Sequence, residues 1–308
     1  MPEIPIIDLG SPVSDAVDWL TENLGTAFDA VTDVMLFLLN AVLYVLTAPH
    51  AYVVTLVFVA LACLVRRWGL AVFALFAFVL IQAMDLWIEA MQTLAVVVVA
   101  AVIAVIIGVP LGIWASGRRQ VSGVVRPLLD LMQTLPVFVY LIPAVFFFGV
   151  GVVPGVVATT VFAIPPAVRL TELGIRSVDA EVVEAAHAFG ARPRQILREV
   201  QMPLAMPSIM AGINQTIMLA LSMVVIAGMV GADGLGSVVV RGISTLDVGA
   251  GFEGGLGVVL LAIYLDRLSN ALGAPRRRRT RRPTAAAPAA AEPAVESKPA
   301  GEAALAAS

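Results

Sequence analysis

The chain has 308 residues, of which 60% are hydrophobic and only 13% charged, with a formal net charge of −3. A mean hydropathy of +0.96 excludes a soluble domain of this length, because so apolar a surface could not be kept in water. The chain reads as an all-α, polytopic membrane protein, and nothing in it points to nucleic acid.

Residues 1–50 form a first, external segment. No Lys or Arg precedes Arg66, so there is no basic start of the kind that opens a cleavable secretion signal. Over Thr26–Ala48, Asp29 and Asp33 sit among Phe28, Val31 and Met35, and the stretch becomes apolar towards Tyr44. That pattern predicts a helix lying in the outer interface; an eighth span, with the N-terminus inside, is the alternative.

A helix needs roughly 20 apolar residues to cross about 30 Å of hydrocarbon. Candidate spans lie at Leu46–Val65, Gly69–Met84, Gln92–Ala115, Leu128–Val150, Val152–Leu170, Leu204–Ala232 and Gly254–Leu272, about seven transmembrane helices, with the membrane domain taken over residues 51–273. Arginines occupy alternate connections: Arg66 and Arg67, then Arg118, Arg119 and Arg126, then Arg169, Arg176, Arg192, Arg194 and Arg198, then the run Arg276–Arg282. Basic residues stay on the cytoplasmic side, so the N-terminus is expected outside and the C-terminus inside, with Arg241 the one exception. Trp68, Trp87 and Trp114 fall at span ends, where the headgroup level favours an amphipathic ring. Residues 274–308 turn Ala/Pro/Glu-rich after the arginines and read as a disordered cytoplasmic tail. Its basic run either anchors the last helix on anionic lipid or senses ionic strength.

Several chemistries fall away. The only lysine is Lys298, so no Gly-x-x-x-x-Gly-Lys phosphate loop exists and ATP-driven work requires a partner. His50 and His187 are expected on opposite faces, which leaves no shared metal and no intramembrane Ser–His pair. The single Cys63 is expected buried and inert. No catalytic residue, metal site or cofactor is expected.

The polar stretch Glu184–Pro203, EAAHAFGARPRQILREVQMP, stands out because it is suspended between two apolar runs. Asp179 is placed to cap a helix over Ala180–Phe189, Gly190 to end it in the left-handed region, and Pro193 to open a second short helix. The product is a compact knob with small residues at Ala185 and Ala186. Glu184, Ala185, Ala186, Gly190 and Pro203 fall at the places of the Glu-Ala-Ala loop, here within 178–203, of ABC-importer permeases. The runs RPLLDLMQTLPVFVYLIPAVFFFGVGVVPGVVATTVFAIPPAVRLTELGI and PLAMPSIMAGINQTIMLALSMVVIAGMVGADGLGSVVVRGI extend the likeness into the spans themselves. There the chain resembles the permease subunit of the glycine betaine/proline osmoprotectant ABC importers.

That resemblance implies a type I importer core with cytoplasmic ATP-binding subunits, an external substrate-binding protein and a second permease subunit, either a copy of this chain or, the alternative left open, a different one. It implies a path for glycine betaine or a relative, with choline, proline or taurine as same-class rivals and an ATP-independent channel or carrier as a different-class one. Polar residues inside spans mark where a path runs or where helices bond to one another. The candidates are Gln133, Thr134, Phe138, Tyr140, Asn214 and Gln215. Pro165 and Pro166 are expected to end the fifth span, and the Gly108–Gly112 pair to mark close helix packing.

Overall fold

A computed structural model describes residues 10–65 and 68–273; Arg66, Arg67 and the arginine run with its tail lie outside the described residues. Those described form helices joined by short turns. Helix α1 (Gly10–Thr47) is followed by α2 (Ala51–Leu64), α3 (Trp68–Ala83) and α4 (Trp87–Gly117), then by α5 (Arg119–Thr134), α6 (Val137–Phe148) and α7 (Val152–Arg176). After these come α8 (Ala180–Ala188), α9 (Pro193–Gln195), a π-helical stretch (Ile196–Gln201) and α10 (Met202–Ser222). The described residues finish with α11 (Val224–Met229), α12 (Leu235–Thr245) and α13 (Val248–Gly273).

Among the described residues, five helices are long and apolar enough to cross a membrane, namely α1, which was expected to lie in the interface, with α4, α7, the element Pro193–Met229 and α13, or six if the bent pair α5–α6 counts as one span. The difference from seven has local causes. Pro49 forbids a continuous helix through Leu46–Val65, since the residue before a proline is pushed out of the α region; α1 ends at Thr47, and the remaining α2 has 14 residues. With the 16 of α3, the two reach about 21 and 24 Å at 1.5 Å per residue. They pair through the stripe Val54, Phe58 and Ala62 against Ala71, Ala74 and Phe78, and Gln82 donates to Thr55 Oγ1 at 2.8 Å. Cys63 is exposed rather than buried, because the packed stripe passes through Ala62 and the next residue is turned about 100° away. The expected span Leu128–Val150 is broken. Leu135 is extended before Pro136, and α5 and α6 meet at 93°.

The centre of the bundle is α4, α7 and α10. A β-carbon added to Gly108 would lie 2.6 Å from Ala167 Cβ, and one on Gly112 2.6 Å from the Val168 carbonyl, so the pair does mark the closest α4–α7 approach. Gly174 meets Ser208 and Gly212 meets Pro166 in the same way where α10 crosses α7. Pro165 and Pro166 do not end a span; α7 continues to Arg176, and α10 and α4 cover the disrupted stretch. Beyond Met229 the chain turns, and α12 folds back against α11 so closely that a β-carbon on Gly236 would lie 2.1 Å from the Val224 carbonyl.

One end of the bundle, where α4 and α7 finish, carries Arg118, Arg126 and Arg176. The other, where Gly234 abuts Thr93 and Glu89, carries Asp85, Glu89 and Asp233. α1 is one 38-residue helix rather than a segment confined to Thr26–Ala48, and its described contacts lie towards this acidic end. Leu39 packs on Val96 and Val156, Leu43 and Leu46 join the cluster around Leu86 and Trp87, and Phe28 stacks on Phe147 at 4.6 Å. Trp68 and Trp114 are exposed at helix ends, whereas Trp87 is packed edge-on against Phe78.

Candidate functional site

α7 and α8 are separated by Ser177, Val178 and Asp179 alone. The Asp179 carboxylate accepts from the Glu181 N–H at 3.0 Å, satisfying one of the donors that a helix start leaves open. α8 then runs one residue short of the expected end, and Gly190 closes it at φ +79°, with the Ala191 N–H donating back to the Ala186 carbonyl at 3.1 Å. That reversal needs the left-handed region, which glycine enters without steric cost.

The second limb departs from the expectation of a short helix. Gln195 Oε1 accepts from the Arg192 N–H at 2.9 Å and Pro193 opens the helix. The helix does not stop there: it passes through the π-helical stretch into α10 as one 37-residue element ending at Met229. Ile196 is buried, and Leu197 and Met202 pack on Ile175, Ala205 and Ile209. This half of the segment is therefore fixed to the bundle. α8 has no buried residue, and Phe189 is 92% exposed. Glu184, Ala185, Gly190 and Pro203 are exposed and Ala186 is half-buried. An added β-carbon at Gly190 would meet nothing within 4 Å, so the knob ends in open space.

Beneath it lies a group that the sequence reading missed. Glu172 of α7 has a side chain only 3% exposed. Its Oε1 accepts from Ser122 Oγ at 2.7 Å and from the Arg126 guanidinium at 3.0 Å, and Arg176 reaches the same oxygen at 3.1 Å. Arg176 also donates to the Ala115 carbonyl at 2.9 Å, joining the ends of α4, α5 and α7. One turn from Glu172, Arg169 pairs with Asp130. A carboxylate so deeply buried is stable only when paired and hydrogen-bonded. The available signal was an acid within an apolar helix, lost because the span was taken to end at Leu170.

The path candidates do not form one cluster. Thr134, Phe138 and Gln215 are exposed and Gln133 half-buried. Tyr140 turns inward against the group around Leu141 and Met223, leaving its hydroxyl buried without a partner. Asn214 faces α13, where its Nδ2 lies 3.5 Å from Asp266 Oδ1. The adjacent Thr216 bonds the Ala163 carbonyl of α7 at 3.1 Å, so three consecutive residues of α10 face three different surroundings.

The chain is 47% identical over 269 residues to the glycine betaine transport system permease protein OpuAB of Bacillus subtilis (strain 168), covering 87% of this chain and 94% of that one. It is 48% identical over 277 residues to the glycine betaine/proline betaine transport system permease protein ProW of Escherichia coli (strain K12), covering 90% and 78%. Likewise it is 48% identical over 275 residues to the glycine betaine/carnitine transport permease protein GbuB of Listeria monocytogenes serotype 1/2a (strain 10403S), covering 88% and 97%. An inward-facing crystal structure of the MetNI methionine ABC transporter shares the fold, with a TM-score of 0.55 at 22% identity over 61% of this chain and 94% of that chain. Residues 108–281 match the model of the binding-protein-dependent transport system inner membrane component. The chain is thus a multi-pass membrane protein, and it belongs to this family of ABC-transporter permeases.

Proposed function

We propose that this protein is the permease subunit of an ATP-driven importer, pairing with a second copy to form the path for glycine betaine or a closely related methylated zwitterion. The observation that carries this reading is the knob at α8 and Gly190: a capped, ordered helix with no buried residue, ending in an exposed phenylalanine. An ordered element that buries nothing of its own is a surface for a partner. A cytoplasmic ATP-binding subunit is the partner that fits, since Lys298 is the only lysine of the chain and it cannot form a phosphate loop.

The basic end then faces the cytoplasm, which places the knob inside and the acidic end, with α1 across it, outside. Residues 1–50 act as an external segment, 51–273 as the permease domain, and 274–308 extend on the cytoplasmic side. Glu184, Ala185, Ala186, Gly190 and Pro203 form the coupling surface. Gln133, Thr134, Phe138 and Gln215 face the path, whereas Tyr140 and Asn214 belong to helix contacts. Apart from Arg241, the arginines lie almost wholly towards one end, away from any mid-membrane site, so an external binding protein makes the tight selection for the zwitterion.

Proteoliposomes holding this permease, its ATP-binding subunit and its binding protein should take up glycine betaine only with internal ATP. Single cysteines at Ser14 and Ser297, in a Cys63→Ala background, should label from outside and inside respectively. Uptake without ATP would refute the importer, and labelling of both sites from one side would refute the orientation.

A further inference from the structure

The contact between α5 and α7 is thin. Its buried apolar part is Val125 and Leu129 against Val168, edged by the partly buried Val121, Met132 and Ile164, while Val124, Leu128 and Leu131 of the same helix are exposed. What fixes its register is polar. Ser122, Arg126 and Asp130 recur every four residues on α5 and so share one face, opposite Glu172 and Arg169 of α7. The two fastenings differ in burial: Glu172 is 3% exposed, whereas Asp130 is 65% exposed.

Glu172 stands seven residues before Asp179, within the last two turns of α7. Gly174, on the same stretch, is pressed against Ser208 of α10. The far end of α5 leads into the Leu135–Pro136 bend and from there to Phe138. One carboxylate therefore joins the helix that carries the knob to the helix that carries the bend.

We propose that Glu172 is a positioning residue of transport: it fastens α5 to the end of α7, so that displacement of the knob is carried into the α5–α6 bend. This rests on the reading of α8 and Gly190 as the ATPase-coupling surface. Burial gives the fastening its strength. The carboxylate is enclosed and takes its hydrogen bonds from Ser122, Arg126 and Arg176, whose two arginine side chains remain 57% and 32% exposed at its rim, and loss of the negative charge leaves two guanidinium groups facing one another.

The test uses the whole transporter in proteoliposomes with its ATP-binding subunit and binding protein, measuring glycine betaine uptake and ATP hydrolysis together. Glu172→Gln keeps the shape and removes the charge. The expected result is an uptake per ATP hydrolysed lower by about 2- to 30-fold, the range by which a coupling residue shifts a linked equilibrium, while hydrolysis persists. Where Glu172→Gln fails to reach the membrane, Arg126→Gln, which leaves the Ser122 and Arg176 contacts, should give the same change of ratio in weaker form.

A merely structural role is separated by a tether. In a Cys63→Ala background, Ser122→Cys with Glu172→Cys, bridged through two disulfides by bis-methanethiosulfonate reagents of graded spacer length, should recover the ratio at one spacer length and lose it again on reduction. An unchanged ratio in Glu172→Gln overturns the proposal, as does a lowered ratio that no spacer recovers. Gly190→Asp, run alongside, isolates the premise. If Gly190→Asp abolishes uptake and Glu172→Gln does not alter the ratio, the fastening fails and the coupling surface stands; if Gly190→Asp transports normally, the coupling surface itself fails.

Discussion

α7 makes two contacts of opposite kind. Against α4 and α10 it meets glycines, with Gly108, Gly112 and Gly212 opposite it and its own Gly174 against Ser208, so closely that an added β-carbon would fall 2.6–3.0 Å from a neighbouring atom. Against α5 it meets a narrow apolar strip edged by charged pairs. Close-packed helix pairs draw their stability from many short-range dispersion contacts, each lost with a slight separation. A few discrete polar contacts can let a helix swing about its fastening. The first contact suits a frame and the second an arm, and both meet on the helix that runs into the knob.

The tightest helix approach lies beside the frame, where α12 folds onto α11 at the end of the element that carries α10, and whether it belongs to the frame can be tested there. Gly236→Ala would place a methyl group 2.1 Å from the Val224 carbonyl, a backbone atom that cannot rotate aside. Overpacking of this kind costs about 1–3 kcal/mol, and the upper end is expected here. The purified protein should show a clearly lower thermal unfolding midpoint, with uptake lost in proportion to folded protein. An unchanged midpoint would mean that α11 and α12 separate freely and do not belong to the frame.

The frame was largely legible in the sequence and the arm was not. The Gly108–Gly112 spacing, the apolar runs and the Asp179 and Gly190 signals all act within a few residues, so each could be read locally. The Leu135–Pro136 bend is local too, yet it was hidden inside the single run Leu128–Val150, because hydropathy is blind to direction. Glu172 was missed for a different reason. Its role depends on Ser122 and Arg126, 50 and 46 residues away, and no period of a helix links such positions. Pro165 and Pro166 misled in the reverse direction: proline disfavours a helix interior, but α7 continues through both under cover of its neighbours.

The second prediction tests whether the knob is rigid by geometry rather than by sequence identity. At φ +79° a non-glycine residue is strained by roughly 1–2 kcal/mol, with asparagine and aspartate the best tolerated. Because the space beyond Gly190 is open, neither Gly190→Asn nor Gly190→Asp should disturb insertion. Gly190→Asp adds a charge to the proposed partner groove and should abolish most uptake, whereas Gly190→Asn should retain a measurable part. Equal loss in both would place the requirement in the turn alone. Full activity in both would remove Gly190 from the coupling surface.

The smallest effect is expected at the outer fastening of the arm, between Arg169 and Asp130. Their side chains are 39% and 65% exposed, so the pair competes with water and is screened by salt. Exposed pairs of this kind are worth about 0–1 kcal/mol, against the several kcal/mol lost when one partner of a buried pair is removed. Asp130→Asn should therefore lower uptake per ATP by less than about twofold, and that small deficit should shrink further as ionic strength rises over the range where the Debye length falls below about 8 Å. Glu172→Gln should converge less, because the carboxylate itself is closed off from the salt even though Arg126 and Arg176 reach it from side chains 57% and 32% exposed. If Asp130→Asn matched Glu172→Gln in size and in salt dependence, burial would not be what grades the two fastenings, and α5 would be held by its charges as a set rather than by one enclosed carboxylate.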